Sequence, residues 1–488
     1  MMYRLFGAIA LGIMLSACSN DNITVNISND VISAGYIGNG AEWDPYDEAE
    51  SWGCEISDAD WEKIQRRLDF MRPGFIRCMI NSPYTYYDNG KYERERHSAN
   101  ILKLLSYCQD NGIHVVFGEF NPPLRTMKDD PEWVKMSVDY LNWLVNVKGF
   151  TCIKEFVIFN EPDGNWASTN GDYGLWLKMA KQFTEEMGLY PDLSQKVKLA
   201  GPDVVAGYRN EASAYDCEGW VERSSVDIDE EIGLYDVHAY PGQASVRSGE
   251  FASVLRSIKG KVPYSKKIVL GEAGYKYFSD PADSLLSKEY WKRVRNCPFT
   301  KGSDCNMLCG DYFYGIDLSL LAMEVMNCGY SGLALWMLDD AMHSNGDSGK
   351  TEDVKIWGLW NILGEEVFND PELEKVKIPY YTWSLMCRYF PQGCNILRTE
   401  GNGSGEWRTC AAEKNGKKTF AAVNYSKEDI CLDLNLSDDF KEAKMYLYQE
   451  NNLKWDGEFP APVREGIRGR RCRVEVPADS FVLITEMN

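Results

Sequence analysis

Two glutamates close two short apolar runs, and their setting is the first sign of chemistry in this sequence. The first run, Lys154-Glu155-Phe156-Val157-Ile158-Phe159, ends on Asn160-Glu161-Pro162. The second, Lys267-Ile268-Val269-Leu270, ends on Gly271-Glu272-Ala273-Gly274. Runs of β-branched and aromatic residues predict buried strands, and Pro162, which has no N–H to donate, ends the first of them. Each glutamate then falls at the carboxyl end of a strand, where barrel enzymes keep their reactive groups. Two carboxyls converging from two strands can cleave a glycosidic bond, one as acid and then base, the other as nucleophile. The plainer alternative is a pair of surface glutamates after edge strands.

Further polar residues sit at predicted strand ends. Arg77 closes Gly74-Phe75-Ile76-Arg77 and could keep a neighbouring carboxylate ionised, or form a salt bridge at the rim. Asn160 precedes Glu161 and could also serve as a turn residue. His238-Ala239-Tyr240 ends another strand, with the histidine and tyrosine two residues apart and so on one side. Trp336 ends the last, as a sugar-facing ring or a core residue. Asp339 and Asp340, Glu119 and Asn121, and Trp43 and Asp44 are weaker candidates on the same strand-end logic.

These ends must be held by a scaffold, and the pattern supplies one. From Ser33 to the 370s, apolar strands alternate with amphipathic helical stretches, the signature of βα repeats around a parallel sheet. Eight strands are expected: Ala34–Ile37, Phe75–Ile80, His114–Gly118, Phe156–Phe159, Val197–Ala200, Leu234–His238, Ile268–Gly271 and Gly332–Trp336. Helices are expected to begin near Ser57, Arg94, Asp130, Asp172, Ser213, Ser248 and Tyr314, with a last one over Tyr380–Tyr389. Eight such units make a (β/α)8 TIM barrel. The long stretches 275–312 and 339–377 follow strands seven and eight and are expected to shape a substrate groove.

After Gln392 the period changes to two. Thr419–Asn424, Ile430–Leu436, Lys444–Gln449, Arg471–Val476 and Ser480–Thr485 read as antiparallel strands of a small C-terminal β-sandwich, and Ile23–Ile27 could complete its sheet. The expected domains are a signal peptide over 1–17, a lipid-anchored linker and sandwich strand over 18–32, the catalytic barrel over 33–391 and the sandwich over 392–488.

Composition narrows the partners. A net charge of −21 argues against nucleic acid or anionic lipid as the main partner. With 4 histidines and no Cys-x-x-Cys unit, a metal site is not expected. Arg4 followed by the apolar run Leu5–Leu15 reads as an export signal, too short for a transmembrane helix. Leu15-Ser16-Ala17-Cys18 resembles the bacterial lipobox, which implies lipidation of Cys18 and anchoring to a membrane through that lipid alone, at a periplasmic or cell-surface location. Of the 15 cysteines, Cys297, Cys305 and Cys309 share one polar loop, where a disulfide with one thiol left over is expected in an exported protein.

Together, Asn160-Glu161-Pro162 and the spaced Glu272 resemble clan A of the glycoside hydrolases. The barrel joined to a sandwich built from both chain ends resembles the clan's glucosylceramidase and xylanase branch. That resemblance implies a retaining glycosidase acting on β-linked oligo- or polysaccharides without a cofactor, with Glu161 as acid/base and Glu272 as nucleophile. It further implies Arg77 and Tyr240 beside the nucleophile, Asn160 on the sugar 2-hydroxyl, His238 lining the site and Trp336 beneath the sugar. Two other functions fit the same residues. One is a non-catalytic glycan-binding lipoprotein using Trp336, Trp357 and Trp360; the other is a transglycosylase, in which a sugar replaces water.

Overall fold

Eight parallel strands close on themselves, each pairing with the next in sequence and the last returning to the first. The structure, a computed structural model, describes residues 23–277, 284–297, 305–401 and 405–488. The expected signal peptide and Cys18 lie outside the described residues. The barrel strands are Gly38–Glu42, Phe75–Ile80, His114–Glu119, Ile153–Val157, Lys198–Ala206, Ile232–Ala239, Lys267–Ala273 and Gly332–Leu335. Closure is made by Gly332 to Leu335 pairing with Gly38 to Ala41. The fold is therefore a (β/α)8 barrel with helices outside it, and the strand-end residues share one rim.

The first strand departs from expectation. It is Gly38–Glu42, not Ala34–Ile37. Gly-Asn-Gly-Ala-Glu has no apolar alternation, and ladders to Phe75–Arg77 on one side and Gly332–Leu335 on the other impose the extended form. The fifth strand also outruns its expected end at Ala200, continuing to Ala206 through a register shift between Pro202 and Val204.

Helix starts follow local capping chemistry. Ser57 and Asp60 form a reciprocal capping box, Ser57 Oγ accepting from Asp60 N and Asp60 Oδ2 from Ser57 N. Asp130 and Asp172 cap the helices that follow them. Where no such cap stood at the expected place, the start moves: to Ser98 instead of Arg94, and to Cys217, capped by Asp216, instead of Ser213.

The second layer is a seven-stranded sheet with its own core of Val25, Ile27, Phe420, Leu432, Leu434, Val482 and Ile484. The segments expected as separate strands, Ile430–Leu436 and Lys444–Gln449, belong to one strand, Ile430–Tyr448. Its first half runs parallel to Ile23–Ile27 and its second half antiparallel to Ser480–Thr485. One strand thus stitches both chain ends into the sandwich-like domain, and Ile23–Ser33 also pairs with Asn395–Glu400. Among the described residues no helix is long and apolar enough to cross a membrane.

Candidate active site

Arg77 is the hub of a polar network at one rim of the barrel. It is wholly buried, and its guanidinium reaches Glu42 Oε2 (2.6 Å), Glu272 Oε2 (3.2 Å), Asn160 Oδ1 (2.6 Å) and Asp203 Oδ2 (3.1 Å). The planar fork explains why arginine is needed, since an ammonium could not serve four acceptors at fixed angles. Burial opposes its charge, but Glu42, Asp203 and Glu272 more than compensate and hold it firmly protonated.

The two glutamates arrive from strands four and seven, on opposite sides of the barrel. Glu161, Glu272 and His238 each contribute an atom to a group in which all three atoms lie within 4.8 Å of one another. That places a carboxylate oxygen of Glu161 within 4.8 Å of one from Glu272. Retaining glycosidases hold their carboxyls about 5–5.5 Å apart and inverting ones about 6.5–9.5 Å, so the spacing is of the retaining kind.

Their surroundings differ. Glu272 is buried, and its Oε1 accepts a short hydrogen bond from the Tyr240 hydroxyl. Burial raises its pKa and Glu161 adds to the rise, while His238, Arg77 and Tyr240 oppose it. Glu161 is held from two sides: His238 Nδ1 lies 2.9 Å from Oε1, and Trp166 Nε1 donates to Oε2 at 2.8 Å. Its backbone adopts φ 46°, in the left-handed region that residues with a Cβ rarely enter. Facing it, Asp203 has φ 63° and accepts from the Glu161 N–H at 3.4 Å.

His238 joins these groups. Its Nε2 lies 3.1 Å from Asp203 Oδ1, and its Nδ1 is 3.6 Å from Glu272 Oε2. Burial pulls its pKa down, but Asp203 and Glu272 outweigh burial and raise it well above the ordinary value. Asp203 is held low, His238 and Arg77 overcoming its burial. Beneath them Asp236 is pushed up to about 7 by burial and by Asp203.

Three acid–histidine groups among the described residues have the spacing of a cation site: Glu48–His343–Asp347, Glu161–His238–Glu272 and Asp203–Asp236–His238. In each the histidine is already engaged by carboxylates and drawn to its protonated form, His343 to about 10.

The sequence-selected residues Arg77, Asn160, Glu161, His238, Tyr240 and Glu272 meet in this one network. Trp336 stands next to it, one residue beyond strand eight, which stops at Leu335 and not at the expected Trp336; it is only 4% exposed, stacked on His343 (centroids 5.8 Å, planes at 8°) with Lys355 Nζ 5.1 Å from its ring centre. Four of the weaker candidates are tied into buried hydrogen bonds and ion pairs. Glu119 is buried under hydrogen bonds from Ser82, Tyr86, Trp133 and Ser137. Asp44 receives Met79 N and pairs with His343. Asp339 holds Tyr46, Trp360 and two backbone amides, and Asp340 pairs with Lys377.

Trp357 and Trp360 are completely buried, Trp357 edge-on to Tyr240 and Trp360 donating to Asp339. The stretch after strand eight folds back into the barrel mouth as core, so neither ring can face a glycan as expected for a binding module. The disulfide expected among Cys297, Cys305 and Cys309 is absent too. All three are thiols, with Cys309 Sγ 3.4 Å from Lys377 Nζ and Cys305 Sγ 3.9 Å from the Val354 carbonyl.

Three residues of the network escaped the sequence reading. Glu42 lay beyond the expected first strand and Asp203 beyond the expected fifth. Trp166, five residues after Glu161, sits in a loop with no periodic pattern. A cavity of about 820 Å³ lined by Gln243, Arg247, Tyr312 and Phe313 contains none of the grouped residues, so chemistry, not volume, marks the site.

No protein-family model matches this sequence, and no curated protein does. Solved structures do share its fold. A glycoside hydrolase family 30 endoxylanase from Clostridium papyrosolvens aligns over 95% of this chain and 100% of its own, at 11% identity and TM-score 0.62. A glucosidase from Croceicoccus marinus aligns over 96% of this chain and 99% of its own, at 12% identity and TM-score 0.61. A family 39 β-xylosidase from Caulobacter crescentus aligns over 95% of this chain and 100% of its own, at 11% identity and TM-score 0.58. At these identities the likeness establishes the shared architecture, a (β/α)8 barrel carrying a β-sandwich.

Proposed function

We propose that this protein is a retaining glycosidase that cleaves β-linked glycans through a covalent glycosyl-enzyme intermediate. The observation that carries the reading is the carboxylate pair, Glu161 and Glu272, within 4.8 Å at the barrel rim with unlike partners. Glu272 attacks the anomeric carbon as the bond to the glycosidic oxygen breaks, and Glu161 gives that oxygen its proton. Water then attacks the same carbon, passes a proton to Glu161 and releases Glu272. Arg77 and Tyr240 favour the ionised nucleophile, and positive charge on His238 faces both carboxylates. With its carbonyl oxygen committed to Arg77, Asn160 has its amide N–H groups to offer a sugar hydroxyl.

The test is product release from a panel of β-glycans, with Glu161→Gln and Glu272→Ala beside the wild type. The xylanase and glucosidase among the similar folds make β-xylans and β-glucosides the first substrates to try. Glu272→Ala should abolish turnover, and azide should restore it as a glycosyl azide of inverted configuration. Full activity in either variant sinks the assignment. We also propose that Cys18 is lipidated and tethers the domain to a membrane, on the strength of Leu15-Ser16-Ala17-Cys18. Radiolabelled palmitate incorporated by the wild type and not by Cys18→Ser supports this, and equal labelling refutes it.

A further inference from the structure

Trp166 is one of two exposed tryptophans among the described residues, the other being Trp291. Trp43, Trp133, Trp143, Trp220, Trp357, Trp360 and Trp383 are all fully buried, whereas Trp166 is 45% exposed. It is also tied to the chemistry, since its Nε1 donates to Glu161 Oε2 at 2.8 Å. The ring leans on Tyr208, at 4.8 Å between centroids and 50° between planes. Tyr208 follows the fifth barrel strand, so the pair bridges two loops of the catalytic rim.

The indole is held, not loose. A Cβ placed on Gly164 would lie 2.3 Å from Trp166 Cε2 and 2.7 Å from Cζ2, so the ring lies flat against a backbone that only glycine leaves bare. Arg125 Nη2 holds the Trp166 carbonyl at 2.9 Å, and Lys128 Nζ holds that of Ser168 at 3.0 Å. An exposed apolar ring fixed by its own loop loses little entropy when a ligand lands on it.

Position selects the ligand. In a retaining glycosidase the acid/base stands beside the leaving oxygen, while the nucleophile stands beneath the sugar that becomes covalently bound. Trp166 touches Glu161 alone of the two, and the oxygen that Glu161 protonates must sit within a few ångströms of the indole edge. Whatever is attached to that oxygen therefore lies along the ring. Pyranose and furanose rings present C–H faces of matching size to aromatic rings, while their hydroxyls remain solvated.

Resting on the proposed glycosidase reading, we propose that Trp166, supported by Tyr208 and Gly164, forms the subsite for the leaving-group sugar, so that the substrate is cut between two sugar rings. The same subsite accepts an incoming sugar. An acceptor hydroxyl oxygen attacks the anomeric carbon, the bond from that carbon to Glu272 breaks, and the hydroxyl proton passes to Glu161. Water and sugar then compete there, and Trp166 biases the outcome towards transfer.

The test compares two substrates sharing one glycone: a β-linked oligosaccharide, and a β-glycosyl fluoride whose one-atom leaving group cannot reach the indole. For Trp166→Ala, kcat/KM on the oligosaccharide should fall at least about 10-fold further than on the fluoride, chiefly through KM. Trp166→Phe should keep that difference below about 3-fold. Gly164→Ala, which displaces the ring without deleting it, should behave like Trp166→Ala. With the fluoride as donor, the ratio of transfer to hydrolysis should drop in Trp166→Ala. Equal losses on both substrates, or no loss on either, overturn the subsite while leaving the glycosidase reading intact. A wild type inactive on both substrates overturns the glycosidase reading and the subsite with it. Circular dichroism and melting of each variant identify any loss that is merely unfolding.

Discussion

Tyr240→Phe removes a single oxygen and isolates how Glu272, the proposed nucleophile, is kept ionised. In the structure the phenol donates a short bond to Glu272 Oε1, one of several influences that counter the upward pull of burial. A hydrogen bond to a charged group contributes about 1.5–3 kcal/mol. Each pKa unit corresponds to about 1.4 kcal/mol, so losing the donor should raise the nucleophile's apparent pKa by about 1–2 units. A carboxylate nucleophile is silent below its pKa. The acid limb of kcat/KM should therefore move to higher pH by that amount, while the rate on the plateau falls less than it does at acid pH. The assay is a pH–rate profile of wild type and variant on one aryl β-glycoside between about pH 3 and 9, a range that spans ordinary carboxylate and imidazole pKa values. An acid limb that stays in place, moves to lower pH, or gives way to a uniform loss at every pH would refute the account of Tyr240.

Three further outcomes follow from the same network. Arg77→Met strips the cation from Glu42, Asp203 and Glu272 and should cost about 3–5 kcal/mol of stability, measured by urea unfolding. A loss under about 1 kcal/mol would mean that the carboxylates do not depend on it. His343 is raised to about 10 by Asp44 and Glu48 against its burial. Its stabilisation is therefore complete below about pH 6.5 and is lost as pH rises towards 10, amounting to at most about 5 kcal/mol. His343→Gln should flatten this part of the wild-type stability profile, and parallel profiles would contradict it. Gly271→Ala would put a Cβ 2.2 Å from both Asp236 carboxylate oxygens, one residue before Glu272. It should cost about 1–3 kcal/mol in melting experiments and lower kcat by displacing Glu272, whereas wild-type kinetics would show that the strand absorbs the methyl.

What could be read from the sequence were features with a local physical cause. Phe75–Ile80 and Lys267–Ala273 are apolar runs whatever surrounds them, so both strands were legible, and with them Arg77, inside the first, and Glu272, near the end of the second. Ser57, Asp130 and Asp172 announce helices through their own side chains. Glu42 was not legible because Gly38–Glu42 is extended only through its neighbours' ladders. Asp203 was hidden by Gly201-Pro202, a dipeptide that reads as a strand's end although the strand passes through it. Trp357 and Trp360 misled for the opposite reason. A tryptophan in a long loop reads as a binding ring until the loop is seen to pack into the barrel's core. Trp166 gives no periodic signal, and its exposure and its hydrogen bond to Glu161, which set it apart from the buried tryptophans, exist only in the folded chain.

The strand Ile430–Tyr448 constrains the order in which the chain can be completed. Ile23–Ser33 is synthesised early, yet both its ladders are to residues made some four hundred positions later, Asn395–Glu400 and Leu432–Leu436. At about 5–20 residues per second a ribosome takes roughly 20–80 s to supply those partners. For that interval Ile23–Ser33 is an unpaired edge with alternating apolar residues, the kind of segment that associates with other chains. The barrel's neighbour-to-neighbour strands can close in sequence meanwhile, so the sandwich is the part that forms last. A chain shortened before Leu432 would leave that early strand without its parallel partner, and aggregation, more than disruption of the Arg77 network, would be its first symptom.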